Sequence, residues 1–136
     1  MLAPFECLCG NFILPEPASY VFFYAFSNLR NLLYIIPASR PVIAAKRDNM
    51  DEYDTIFVGF PIWWYIAPTI INTFLESYDL KGKTIIPFAT SGGSDMGKTN
   101  EKLAPSCPGA KLLHGKVFNP YSSKADLSAW VEALSL

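Results

Sequence analysis

Two short segments of the chain carry the residue types that bind a flat aromatic molecule. Residues 61–65 place three aromatic rings in a row after an apolar run, and residues 90–94 form a Ser- and Gly-rich loop after a second apolar run. Aromatic rings stack on planar ligands, and glycine lets backbone N–H groups approach them closely. We therefore predict a planar ligand between the two loops. The predicted site residues are Pro61, Ile62, Trp63, Trp64, Tyr65, Thr90, Ser91, Gly92, Gly93 and Ser94.

Each of these loops follows a predicted strand. Residues 55–60 form an apolar strand that ends at Pro61, and residues 84–89 form the next strand, which leads into Thr90. Between them, a helix that begins near Ala67 repeats apolar residues along one face. A strand, a helix and a second strand predict a parallel crossover, and parallel sheets bind ligands at the carboxyl ends of their strands. Both loops are therefore expected at the same edge of one sheet.

The remaining elements continue the alternation of strand and helix. The pattern predicts a polar helix over residues 95–104, another strand over residues 111–118 and a closing helix over residues 123–134. Ser123 followed by Asp126 is expected to cap that last helix. The whole chain, residues 1–136, has the length of a single domain.

Three stretches, residues 59–68, 90–94 and 107–110, resemble the flavodoxin-like family. The resemblance extends over residues 53–134 and implies an α/β three-layer sandwich with a parallel sheet, in the strand order two-one-three-four-five. It implies FMN as the cofactor. It also implies that backbone groups of residues 61–64 approach the redox-active edge of the flavin and that those of residues 90–94 reach its pyrimidine ring.

The N-terminal part of the chain departs from the family pattern. Residues 1–40 form an atypical apolar segment, bounded near residues 37–41, and the family-like part covers residues 50–136. The family's Ser/Thr-Gly-rich phosphate loop has no counterpart in residues 1–52. Tyr20–Phe26 is the candidate for the first strand, and the loop after it, residues 27–31, lacks glycine. We therefore expect the first βαβ unit to be incomplete or replaced.

Charge and polarity limit the classes of partner. A net charge of −1, from 11 basic and 12 acidic residues, disfavours nucleic acid and anionic membranes. Ser27, Asn28 and Arg30 interrupt the apolar stretch of residues 18–37, which disfavours a membrane span. Because Arg30 is also the first basic residue, the sequence does not resemble a signal peptide. We expect a cytoplasmic protein.

The residue types of metal sites and of nucleophilic catalysis are poorly represented. Cys7, Cys9 and Cys107 lack the spacing of a zinc site and are interpreted as reduced thiols. The only histidine, His114, lies in the apolar pattern of residues 112–117 and is interpreted as a strand-end or surface residue rather than a catalytic base. No catalytic residue and no metal ligand is therefore assigned.

Three functional hypotheses remain open. The first is an FMN-binding protein that acts in electron transfer or flavin-dependent reduction, with a redox partner protein. The second is a flavodoxin-like scaffold with weak or no FMN binding that acts as an interaction module. The third is a nucleotide-binding protein, since Gly92–Thr99 formally matches the phosphate loop Gly-x-x-x-x-Gly-Lys-Thr. An exposed N-terminal strand would also favour a homodimer.

Overall fold

The computed structural model describes residues 20–24, 38–43, 46–119 and 121–136, and for residues 20–24 the backbone alone. Strands are β1 (Tyr20–Tyr24), β2 (Thr55–Pro61), β3 (Thr84–Thr90), β4 (Lys111–Leu112) and β5 (Lys116–Phe118). Helices are α1 (Ile70–Glu76), α2 (Thr99–Leu103) and α3 (Lys124–Ala133). Single turns of 3₁₀ helix lie at Met50–Glu52 and Ala104–Ser106.

The described strands form one parallel sheet. β2 pairs with β1 on one side and with β3 on the other, and β3 pairs with both β4 and β5 along its far edge. The expected first strand is therefore present at Tyr20–Tyr24, where Tyr20 lies opposite Thr55. The last two residues of the predicted strand 20–26 lie outside the described residues.

Both faces of the sheet are covered, so the predicted three-layer α/β architecture is confirmed. In β2, Ile56, Val58 and Phe60 belong to a core cluster with residues of α1. Phe57 points to the opposite face, where it joins a second cluster with residues of α3. Because alternate side chains of a strand point to opposite faces, a strand covered on both faces is apolar throughout. This is why β2 could be recognised from composition.

The predicted strand 111–118 is interrupted. Residue 85 lies opposite residue 112, and residue 88 lies opposite residue 116, so two residues of β3 face three residues between β4 and β5. Pro87 explains this bulge. In a regular parallel ladder the N–H of residue 87 would donate to the Leu113 carbonyl, but proline has no N–H. Asn100 Nδ2 donates to that carbonyl instead, at 2.7 Å.

The helices are shorter than predicted at their N-terminal ends. α1 begins at Ile70, and α2 begins at Thr99 rather than at residue 95. Residues 95–98 form a turn in which the Asp95 carboxylate accepts a hydrogen bond from the Gly97 N–H at 2.8 Å. The predicted cap of α3 is confirmed, since Ser123 and Asp126 form a reciprocal capping box. None of the helices in the described part of the chain has the length and apolar character to cross a membrane.

Residues 38–43 are joined to α1 by a chain of polar contacts around Glu76. Arg40 Nε donates to Glu76 Oε2 at 2.8 Å, and Ser106 Oγ donates to Glu76 Oε1 at 2.7 Å. Asn72 Nδ2 in turn donates to Ser106 Oγ at 2.9 Å. Ile43 also packs against the core cluster on the α1 face.

Candidate functional site

Residues 63–66, the aromatic turn, form a tight reversal directly after β2. Trp63 N donates to Ile66 O at 3.0 Å, and Ile66 N donates to Trp63 O at 3.1 Å. The two central residues, Trp64 and Tyr65, have φ values of 51° and 65°. Such turns normally use Asn or Gly at these positions, because a side chain in the left-handed region costs about 1–2 kcal/mol per residue.

This strain comes with unusual exposure. The side chains of Trp64 and Tyr65 are 77% and 67% exposed, whereas Pro61, Ile62 and Trp63 are half-buried. The fold gains little apolar burial from the two exposed rings and holds them in a costly conformation. Strained backbone of this kind is concentrated at ligand sites.

Residues 91–94, the glycine loop, follow β3 and are organised by Ser91. Ser91 Oγ accepts hydrogen bonds from Gly93 N at 3.2 Å and from Ser94 N at 2.8 Å, and lies 2.7 Å from Ser94 Oγ. Gly93 has a φ of 152°, which favours glycine. Gly92 has no such constraint, and a Cβ at either position would meet no atom within 4 Å. The two glycines therefore border open space.

The structure brings the two predicted loops together. Ile62 N donates to Thr90 O at 2.9 Å, which extends the β2–β3 pairing to the start of both loops. Farther along, Lys98 N donates to Tyr65 O at 3.2 Å. The aromatic turn is thus bonded to the segment that leaves the glycine loop.

An open cleft of about 470 Å³ borders the glycine loop on the β5 side. Its lining residues are Ser91, Gly92, Gly93, Ser94, Val117, Phe118, Asn119 and Tyr121. Sequence reasoning missed the last four, of which Asn119 and Tyr121 follow β5. Tyr121 is 93% exposed, and its N–H is held by Asn119 Oδ1 at 2.9 Å. Their position after β5, at the same edge of the sheet as the two loops, was the available signal.

The cleft is electrically neutral and has mixed polarity. Its described lining residues include no ionisable side chain apart from the phenol of Tyr121, and their hydroxyl, amide and backbone groups lie beside the apolar Val117 and Phe118. Such a surface suits a ligand part that is flat, uncharged and rich in hydrogen-bonding atoms.

Neither a metal centre nor a reactive thiol is found in the described part of the chain. No group of His, Cys, Asp and Glu there is arranged to hold a metal ion. Burial raises the pKa of the Cys107 thiol, which keeps it protonated and unreactive. His114 is exposed, as predicted, and its ring Nδ1 lies within hydrogen-bonding distance of the carbonyl oxygen of the next residue, Gly115. Cys7 and Cys9 lie outside the described residues.

The formal phosphate-loop match at Gly92–Thr99 does not have the geometry of such a loop. The loop's N–H groups at residues 93, 94, 97, 98 and 99 already donate to protein oxygens. Thr99, which would have to face a metal ion, is fully buried. A phosphate cradle needs inward-facing, unpaired N–H groups. The described geometry therefore does not support the nucleotide-binding hypothesis.

Comparisons with known proteins agree on one family. A family model described as flavodoxin matches residues 33–134. A crystal structure from Bacteroides eggerthii, provisionally named a flavoprotein, is 40% identical with a TM-score of 0.66, over 74% of this chain and 63% of its own. A second, from Bacteroides uniformis and named in the same way, is 44% identical with a TM-score of 0.65, over 71% of this chain and 62% of its own.

These relatives are longer than the matched region. The chain spans less than two thirds of the length of either structure. No curated protein matches it.

Proposed function

Because this chain belongs to the flavodoxin family, we propose that it binds FMN and acts in electron transfer or flavin-dependent reduction. The observation that carries the proposal is the strained and exposed aromatic turn, which is hydrogen-bonded to the segment that follows a glycine loop open to solvent. When bound, FMN would supply the redox chemistry.

The residues present fit the ring system of a flavin. Trp64 and Tyr65 offer exposed aromatic faces for stacking, which is worth about 0.5–1.5 kcal/mol beyond area burial. Gly92 and Gly93 leave room for a flat molecule against the backbone. Among the described residues, none accepts a hydrogen bond from the Gly92 N–H, so this group is available to a carbonyl oxygen or ring nitrogen.

We assign the following roles to the predicted residues. Pro61, Ile62 and Trp63 fix the aromatic turn at the end of β2, and Trp64 and Tyr65 cover one part of the ring. On the other side, Thr90 and the glycine loop face its polar edge, with Tyr121 beyond them. By orienting the ring and excluding water, these groups would set the flavin's potential.

FMN titration of the purified chain tests this proposal. We expect saturable quenching of flavin fluorescence and a perturbed visible spectrum. Trp64→Ala should raise the dissociation constant about tenfold, the equivalent of about 1.4 kcal/mol. Val42→Ala, which truncates another exposed apolar side chain, serves as the control. Failure of FMN to bind at high concentration would refute the proposal.

One observation favours the second candidate function, a scaffold with weak or no FMN binding that serves as an interaction module. The family match begins at residue 33, downstream of β1, so the likeness to the family does not include β1 or the residues directly after it. The resemblance assigns the FMN phosphate to that part of the fold. The same titration separates the two candidates.

Partners and location stay predictions. They comprise a redox partner protein, a cytoplasmic location, no role for nucleic acid or membrane, and a homodimer joined through the N-terminal strand. β1 pairs with β2 along one side, and no described strand pairs with its other side. Sedimentation velocity should show a dimer that dissociates on dilution, whereas a monomer at every concentration would exclude this interface.

A further inference from the structure

Gly97 lies against the carbonyl of the aromatic turn. A Cβ at residue 97 would lie 2.7 Å from Tyr65 O, 3.3 Å from Tyr65 Cβ and 3.5 Å from the Tyr65 carbonyl carbon. Two of these three atoms belong to the backbone, which cannot swing aside as the end of a side chain does. Gly97 also has a φ of 49°. Both the limited space and the backbone conformation at residue 97 therefore require glycine.

Hydrogen bonds on both sides of Gly97 fix this approach. Its own N–H donates to Asp95 Oδ1 at 2.8 Å, and the next N–H, that of Lys98, donates to Tyr65 O at 3.2 Å. Met96 is buried and Thr99 is fully buried, which anchors the turn in the core. A rigid segment thus presents one N–H to the aromatic turn, and the absent side chain of Gly97 lets the two backbones meet.

The aromatic turn needs such support. Trp64 and Tyr65 both adopt positive φ values without being glycine, and their rings contribute little to the core. The cross-turn pair between Trp63 and Ile66 closes the reversal, but it does not fix the reversal relative to the glycine loop. The contact at Tyr65 O supplies that constraint on the far side of the turn.

We propose that Gly97 is a positioning residue, which holds the aromatic turn in the orientation that receives the flavin ring. This inference rests on the proposed function. It also accounts for the glycine at residue 97 within the formal phosphate-loop match: Gly97 and the backbone N–H of residue 98 serve Tyr65 and not a phosphate.

The test compares Gly97→Ala with Gly82→Ala. Gly82 has a φ of 78° and nothing within 4 Å of its Cβ position, and it precedes β3, at the opposite end of that strand from the glycine loop. Both variants suffer similar backbone strain, but only Gly97→Ala presses on Tyr65. We expect Gly97→Ala to raise the FMN dissociation constant at least fivefold and Gly82→Ala to leave it within twofold, with a larger loss of urea midpoint for Gly97→Ala because of its clash with Tyr65 O.

A double-mutant cycle separates positioning from general damage. In a Trp64→Ala/Tyr65→Ala background both rings that Gly97 would position are gone, so Gly97→Ala should change the FMN dissociation constant less than twofold. An unchanged constant for the single variant, or a full additional loss in the Trp64→Ala/Tyr65→Ala background, would overturn the inference while leaving the proposed function standing.

A second measurement needs no flavin. The chain has three tryptophans, so Trp63→Phe and Trp130→Phe together leave Trp64 as the only indole. In this background, Gly97→Ala should change the emission maximum and lower the anisotropy of Trp64, and Gly82→Ala should change neither. Identical emission in all three proteins would overturn the positioning role. Absence of FMN binding would refute the proposed function alone.

Discussion

Trp64 and Tyr65 show how far single residues can be interpreted from a sequence. Their aromatic character predicted a ligand loop, and the structure places both rings in solvent next to the segment that follows the glycine loop. Their positive φ values were not predictable, because two-residue turns of this type favour Asn and Gly. Asn119 and Tyr121 were missed because no motif marks them.

Replacing the two central residues of the aromatic turn should separate stability from binding. In Trp64→Asn/Tyr65→Gly, both residues tolerate positive φ, so the free energy of unfolding should rise by about 1–2 kcal/mol. Loss of both rings should weaken FMN binding by tenfold or more. Urea unfolding and FMN titration provide the two measurements. A more stable protein with unchanged FMN affinity would remove both rings from the site.

Replacing Gly92 should leave the fold stable but weaken FMN binding at the proposed site. Its φ lies outside the left-handed region, and an added Cβ would meet nothing within 4 Å. Gly92→Ala should therefore leave the free energy of unfolding unchanged or raise it by up to about 1 kcal/mol. The methyl group would occupy the space proposed for the ring and weaken FMN binding. Wild-type affinity in this variant would place the ring elsewhere.

At the scale of secondary-structure elements, the sequence predicted those strands and helices that depend on residues close together along the chain. β2 and β3 were recognised because both have few polar positions, and α3 because Ser123 and Asp126 cap it. The bulge between β4 and β5 escaped prediction because it depends on Pro87, a residue of another strand. Pairing between distant residues is invisible to periodicity.

Asn100 should stabilise the bulge in a way that depends on Pro87. Asn100→Ala removes the donor to Leu113 O and should cost about 1 kcal/mol of unfolding free energy. In a Pro87→Ala background, the restored N–H at residue 87 can bond to that carbonyl, so the same change should cost less. Urea unfolding of the four proteins measures the difference. Equal costs in both backgrounds would contradict this explanation of the bulge.

The contacts of Glu76 predict a pH dependence. The hydrogen bond from Arg40 is the main cause that lowers the pKa of Glu76 below its ordinary value of 4.5, against the opposing effect of burial, and Ser106 contributes as well. A lowered folded-state pKa gives stability that is present above pH 4.5 and lost as the pH falls below it. Because Glu76 and Arg40 are each 40% exposed, the effect should be small.

Urea midpoints measured from about pH 3 to about pH 7 test this dependence, because this range includes the ordinary pKa of a glutamate carboxyl. In Glu76→Gln, the urea midpoint should fall less steeply below pH 4.5, the ordinary pKa of this carboxyl. Glu132→Gln is the matched control, since Glu132 is exposed on α3 and its carboxylate has no described cation partner. The same profile for the wild type and Glu76→Gln would exclude Glu76 as the cause.

At the scale of the whole molecule, the sheet places the loops after β2, β3 and β5 at one edge. The sequence predicted the first two loops at this edge, because the strands that precede them read as parallel. It did not predict the part of the cleft that follows β5, because no motif marks Asn119 and Tyr121. Position in the sheet, rather than any single motif, brings the site together.

The most direct test of the proposed site is a map of backbone amide NMR shifts during FMN titration of the intact chain. We predict that the largest changes fall on residues 63–66 and 91–94, with smaller ones at Asn119 and Tyr121, while Gly82 and Gly109 at the opposite end of the strands stay unchanged. Saturable FMN binding with unshifted amides in both loops, or no binding at all, would contradict the account.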